Sequence, residues 1–273
     1  MRIGILVFPG VQLLDVIGPA DVFTEAARQL GNPQAYTIEL IGTEPGGLRG
    51  SCGIRVAVDA TTETHRGRLD TLLVAGSPEI DAVESDVRLR AWVRSQARSV
   101  RRIASVCTGA FVLAGAGLLD GRKAATHWNH ADRLAADHPR ANVERDAIYV
   151  KDRNLYTCAG VSAGMDLALA LVEEDHGRQI SLKVARELVM FLKRPGGQSQ
   201  FSAYLAAQGA DKSAIRDVQA YVLAHLHADL SVPKLAARAM MSERNFARVF
   251  RAECGMTPAE FVEKGRRAAA RPR

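Results

Sequence analysis

Short apolar runs and helix-period segments alternate through the first two-thirds of the chain. Apolar runs stand at Ile3–Phe8, Tyr36–Ile41, Ile54–Val58, Thr71–Val74 and Ile103–Val106, with another around Lys123–Thr126. Unbroken hydrophobicity over so few residues is what strands buried on both faces of a parallel sheet require. Helical spacing covers Leu13–Leu30, Asp86–Ser99, Thr108–Gly117 and Asn129–Asp137. The polar cluster Lys151-Asp152-Arg153-Asn154 lies between Ile148-Tyr149-Val150 and Leu155-Tyr156-Thr157, so Ala147–Cys158 reads as a hairpin. Helices follow at Ser162–Asp175 and Ser181–Leu192. This alternation predicts an α/β fold, a doubly wound sheet with helices on both faces.

The pattern changes at Lys193–Gln200, where Pro195 and the paired Gly196 and Gly197 end the last helix. The division expected is an α/β domain over 1–192, a linker over 193–210 and a small all-α domain over 211–273. In that small domain Ile215–Leu226 is an amphipathic helix. Ser231 suits an N-cap, with Pro233 in the first turn and Leu235, Ala236 and Ala239 forming an apolar stripe. Ser242 suits a second N-cap. Behind it Phe246, Val249 and Phe250 share one face by their spacing of three and four. That spacing turns Arg244, Asn245, Ala247, Arg248 and Arg251 outward, as in a helix-turn-helix. A recognition helix needs this set: Arg gives two N–H groups to guanine, Asn pairs with adenine and further Arg neutralises phosphate. A structural hairpin with a solvated face is the plainer alternative.

Charge favours the first reading. The 273 residues carry a formal net charge of +6. Residues 211–273 hold 12 Lys/Arg against 7 Asp/Glu, a net of +5, which leaves +1 for residues 1–210. A basic tail beside a nearly neutral body points to a polyanion, double-stranded DNA before a membrane surface. With 47% hydrophobic and 24% charged residues the composition is that of a globular protein. Pro9, Gly10, Gln12 and Asp15 interrupt the apolar N-terminus, so it reads as a first strand rather than a signal peptide, and no run approaches a membrane span. Cys52, Cys107, Cys158 and Cys254 show no metal or disulfide spacing, which fits a reducing cytoplasm and predicts no metal or cofactor.

Chemistry concentrates where Ile103–Val106 meets Cys107-Thr108-Gly109-Ala110. A cysteine between a buried strand and a helix opened by small residues suits a nucleophile elbow, which exposes a side chain at the carboxyl edge of a sheet. The helix N-terminus is expected to favour the thiolate. A buried core cysteine is the commoner role for such a residue, but Asp15 follows the first strand and His127 follows the Lys123–Thr126 strand, so three groups converge on one edge. His130 and His138 read as helix-surface residues.

Residues 2–190 resemble the PfpI-like branch of the class I glutamine amidotransferase-like superfamily, through Phe8–Gly18, Ala75-Gly76-Ser77, Ser105–Gly109 and Gly121–Trp128. The resemblance implies a flavodoxin-like sheet, with Cys107 as the reactive residue and Asp15 against its thiol. Peptidase members carry His directly after the cysteine, where this chain has Thr108. Asp15, Cys107 and Thr108 together resemble isonitrile hydratases, whose cysteine attacks the isonitrile carbon, and equally regulators that use the fold as a sensor. The C-terminal residues, including Gly255-Met256-Thr257-Pro258, resemble the first half of an AraC/XylS-type DNA-binding domain. Met240 stands where that family has Gly, and the chain ends inside the helix that would lead to a second helix-turn-helix. The domain order resembles GlxA-type regulators. It implies a DNA-binding transcription regulator, dimeric, with Asp15, Gly76, Cys107, Thr108 and His127 around a small-molecule effector and Ser242, Arg244, Asn245, Arg248 and Arg251 on DNA. The alternative is a Cys107- and Asp15-dependent enzyme of the hydratase type with a vestigial C-terminal unit.

Overall fold

A computed structural model of the chain describes residues 1–192, 197–198 and 214–269. The expected linker 193–210 lies outside the described residues apart from 197–198. The chain divides into two compact units, Met1–Arg194 and Pro195–Arg273.

The first unit is built on a seven-stranded sheet. Its strands are β1 (Arg2–Val7), β2 (Thr37–Gly42), β5 (Ala60–Thr61), β6 (Thr71–Val74), β7 (Arg102–Val106), β10 (Tyr149–Asp152) and β11 (Leu155–Cys158). They lie in the order β10-β11-β7-β6-β1-β2-β5, and β10 alone runs antiparallel to its neighbour. Ile5 sits opposite Leu40 on one side and Leu73 on the other. All five residues of β7 and all four of β6 are buried, as strands covered on both faces must be.

The helices are α1 (Leu14–Gln29), α2 (Ile80–Glu84), α3 (Val87–Ala97), α4 (Gly109–Gly115), α5 (Ala131–Asp137), α6 (Ala163–His176) and α7 (Arg178–Glu187). From β1 the chain moves through α1 to β2 on one side. It then returns to β6 on the other side of β1 and proceeds through α2 and α3 to β7. Right-handed crossovers running in opposite directions place their helices on opposite faces. The reversal at β1 and β6 opens a crevice at the strands' carboxyl ends, the position at which such sheets carry ligands.

Two expected strands fall outside this sheet. The Ile54–Val58 run supplies β4 (Arg55–Ala57), which pairs antiparallel with β3 (Gly47–Arg49) in a hairpin of its own. Ile54 is 60% exposed there, whereas Leu48 of the same hairpin is buried in the core and Val56 packs against it, so the hairpin covers the body with one face only. The Lys123–Thr126 run supplies β8 (Lys123–Ala124), which pairs with β9 (Asn142–Val143). The helix expected from Asn129 opens as a 3-10 turn over Trp128–His130 before α5. α7 starts at Arg178, after Gly177 turns the chain at φ +81°, and ends at Glu187 rather than Leu192.

The second unit packs α8 (Ala214–Ala224), α9 (Val232–Arg238), α10 (Glu243–Cys254) and α11 (Pro258–Ala269) around Ile215, Val218, Leu235, Phe246, Phe250 and Phe261. The Phe250 ring lies 5.4 Å from Phe246 and 5.5 Å edge-on from Phe261, spacings typical of stabilising aromatic pairs. Ser231 and Ser242 occupy the cap positions with the extended backbone a cap requires, yet neither hydroxyl bonds its helix. Thr257 and Glu260 form a reciprocal cap at the start of α11. The Glu260 carboxylate accepts from the Thr257 N–H at 2.7 Å, and the Thr257 hydroxyl accepts from the Glu260 N–H at 3.3 Å.

Candidate functional site

Cys107 follows β7 at φ +57°, a left-handed conformation that costs a non-glycine residue on the order of 1 kcal/mol. Its neighbours hold it there. Its N–H donates to Cys158 O at 3.1 Å, and the Thr126 hydroxyl donates to Cys107 O at 2.8 Å. The turn needs bare backbone on either side. A Cβ on Gly109 would lie 2.3 Å from Val74 O, and one on Gly160 would lie 2.2 Å from the Cys107 Cβ.

Asp15, fully buried at the start of α1, reaches this corner. Its Oδ2 accepts from the Gly76 N–H at 3.0 Å and its Oδ1 from the Val161 N–H at 2.7 Å. The Thr108 hydroxyl donates to Ser77 O at 2.7 Å and accepts from the Ser77 N–H at 2.8 Å, which ties the elbow to the loop after β6. A Cβ on Gly76 would fall 2.8 Å from each of Asp15 Oδ2, the Cys107 Cβ and Thr108 Oγ1. Four of the five expected residues therefore form one contact cluster at the switch point.

His127 follows Thr126, whose hydroxyl bonds Cys107 O, but its own ring makes its contacts elsewhere. Its Nδ1 accepts from the Asn129 N–H at 3.3 Å and so closes the Trp128–His130 turn, and its ring lies 6.0 Å from that of His130. Burial first, and then His130, push its pKa down.

Electrostatics reverse one expectation. Cys107 is held as the thiol, its pKa pushed up to about 12 by burial and secondarily by the Asp15 charge. At the start of α4 the N–H and hydroxyl of Thr108 favour the thiolate, but they do not offset the desolvation of a charged sulfur. Asp15 rises to about 6 through burial, against its two backbone hydrogen bonds. The corner thus holds a neutral thiol beside a carboxyl that titrates near neutral pH, a pair suited to hydrogen-bonding a ligand. Among the described residues no three His, Cys, Asp or Glu side chains are grouped to hold a metal ion.

The Gly160-Val161 corner escaped the sequence reading. Val161 also has a positive φ, +51°, and its N–H fixes Asp15. The signal was there: Gly160 between the strand Leu155–Cys158 and the following helix mirrors the elbow one strand away.

In the second unit, Phe246 and Phe250 are fully buried, Val249 is half-buried, and Arg244, Asn245, Arg248 and Arg251 are exposed on the other side of α10. Ser242 is exposed at its head. Arg248 Nη2 donates to Asn245 Oδ1 at 2.9 Å. Other cations serve the fold. Arg266 donates to Leu226 O and Ala228 O at 2.9 Å each, Lys234 pairs with Asp229 at 2.8 Å and the Arg238 guanidinium lies 3.8 Å from the Tyr221 ring centre. Arg244 has no ion-pair partner among the described residues. Met240, in the turn before α10, sits at φ +55° and is 92% exposed.

Residues 1–174 match the DJ-1/PfpI family, and residues 222–263 match the bacterial regulatory helix-turn-helix proteins of the AraC family. The isonitrile hydratase of Pseudomonas putida is 36% identical over 64% of this chain and 72% of its own length. The HTH-type transcriptional regulator GlxA of Rhizobium meliloti is 28% identical over 93% of this chain and 78% of its own. A ThiJ/PfpI family protein from Pseudomonas syringae has a similar fold, with a TM-score of 0.63 at 24% identity, covering 99% of this chain and 90% of that one.

Proposed function

The chain belongs to the DJ-1/PfpI family and carries an AraC-type helix-turn-helix, and from these two facts we propose a DNA-binding transcription regulator whose α/β unit senses a small molecule. The observation that carries the proposal is α10: an apolar face locked into its own core by Phe246 and Phe250, and an opposite face of exposed arginines with Asn245. Arg244, Asn245 and Arg248 meet base edges, while Arg251 and the uncapped hydroxyl of Ser242 meet phosphate. The effector lies at the Asp15, Gly76, Cys107 and Thr108 corner, with His127 at its rim. A homodimer supplies two reading heads to a two-fold operator. No described helix is long and apolar enough to cross a membrane, and we place the regulator in the cytoplasm. A mobility-shift assay on genomic fragments tests this. The full chain should retain specific fragments, and Arg244→Ala should release them; equal retention of all fragments by both proteins would contradict the proposal.

The similarity to the isonitrile hydratase over the α/β unit keeps a second reading in view, Cys107-dependent turnover. The neutral, buried thiol argues against it, because the thiolate is the nucleophile. Hydration of an alkyl isonitrile by the wild-type chain, abolished in Cys107→Ala, would reinstate it.

A further inference from the structure

The outward stripe of α10 offers hydrogen-bond donors almost to the exclusion of acceptors, and one internal bond makes it so. An asparagine reads adenine by giving an N–H to N7 while its oxygen accepts from the N6 amine, which requires both ends of the amide. Here the Asn245 oxygen already accepts from Arg248 Nη2 at 2.9 Å, a charge-assisted bond between two exposed side chains one helical turn apart. An adenine amine brought to the remaining lone pair would sit beside the guanidinium, donor against donor. What the pair presents outward is the two N–H groups of Asn245 and the four other N–H groups of Arg248. Arg244 and Arg251 add only donors. Glu243, the one acid in the first turn, is in register with half-buried Ala247 and buried Phe250, off the stripe that Arg244, Arg248 and Arg251 share.

A donor-only surface complements an edge with adjacent acceptors, and guanine, with N7 and O6, is the base that has one in the major groove. We infer that the Asn245–Arg248 pair reads two successive G·C pairs with both guanines on one strand, and that Arg248 is a specificity-determining residue that turns Asn245 from adenine to guanine. The inference rests on the reading of α10 as a recognition helix.

Selection from a random duplex library with the full chain, in wild-type, Arg248→Ala and Asn245→Ala forms, tests it at one fixed salt concentration. The wild type should enrich two adjacent G·C pairs, and at the position that Asn245→Ala flattens it should favour G·C over A·T by roughly fivefold or more. Arg248→Ala, which frees the Asn245 oxygen, should shift that same position toward A·T. Enrichment of A·T there by the wild type, or a preference unchanged by Arg248→Ala, would overturn the inference. So would salt-dependent retention of duplex without base preference, which leaves DNA binding standing. If the chain retains no duplex at any salt concentration, the regulator reading fails and takes this inference with it.

Discussion

Asp15 and Cys107 set the character of the proposed effector corner because each is stripped of water. Asp15 titrates at about 6 in the folded protein against 3.8 for the unperturbed group, so the folded state holds the proton more tightly. That contribution to stability is complete below the unfolded value and is lost as pH rises through about 6. Relative to Asp15→Asn, the wild-type protein should therefore gain up to about 3 kcal/mol between pH 7 and pH 4. Urea midpoints across that range would show it, and a pH-independent gap would count against a buried, protonatable Asp15. Cys107, held as a thiol, should react with iodoacetamide at pH 7.5 more slowly than exposed Cys52 by at least about a hundredfold. Peptide mass spectrometry reads both sites, and equal labelling would mean the thiol is activated after all. At this scale the sequence anticipated that Asp15, Gly76, Cys107 and Thr108 would meet and misjudged the state of the thiol. The order of residues places a cysteine at a helix N-terminus, but what surrounds its thiol comes from 31 (Gly76), 53 (Gly160) and 92 (Asp15) residues away in the chain. The segment before His127 reaches the same edge although β8 lies outside the main sheet: Ala125 N–H donates to the Thr157 hydroxyl and the Thr126 hydroxyl to Cys107 O, contacts that sequence order does not announce.

Elements were legible wherever a hydrophobic period ran long enough to be read. β1, β6 and β7 match their apolar runs within one residue, as does α10 behind Ser242. The hairpin of β10 and β11 was visible from its polar turn. Short pieces with weak patterns, β3, β5 and β9, carry too few residues to signal themselves. The turn before α10 was legible down to its strain, since Met240 stands at φ +55° where a glycine would fit without a Cβ. Met240→Gly should stabilise the second unit by about 1 kcal/mol, because the exposed side chain gives up little packing in return. Thermal unfolding would register a rise of several degrees; a fall would mean the methionine contributes packing of its own. Phe250→Ala removes the ring that joins α10 to α11 and should cost about 3–5 kcal/mol, enough to unfold a unit of this size. Loss of helical circular dichroism is the expected sign, and an unchanged spectrum and melting curve would contradict the core described here.

Over the whole molecule, the charge asymmetry that first suggested a polyanion resolves into two classes of cation. Arg238 and Arg266 hold the second unit together, whereas Arg244, Arg248 and Arg251 stand on an open face whose opposite side is core. Helical spacing alone turned the arginines of α10 outward, but it could not show that Arg238 and Arg266 serve the fold, because which carbonyl or ring an arginine meets is decided by tertiary packing. The proposal that this open face of α10 binds duplex DNA is decided by equilibrium binding of a fluorescent duplex across a series of salt concentrations, with the wild-type chain beside a variant in which Arg244, Arg248 and Arg251 are all alanine. The wild type should lose affinity linearly in log–log form, each neutralised phosphate contributing a slope of about −0.9, and the variant should bind more weakly with a slope shallower by on the order of one to three. Salt-independent binding, or the same slope and affinity in both proteins, would contradict it.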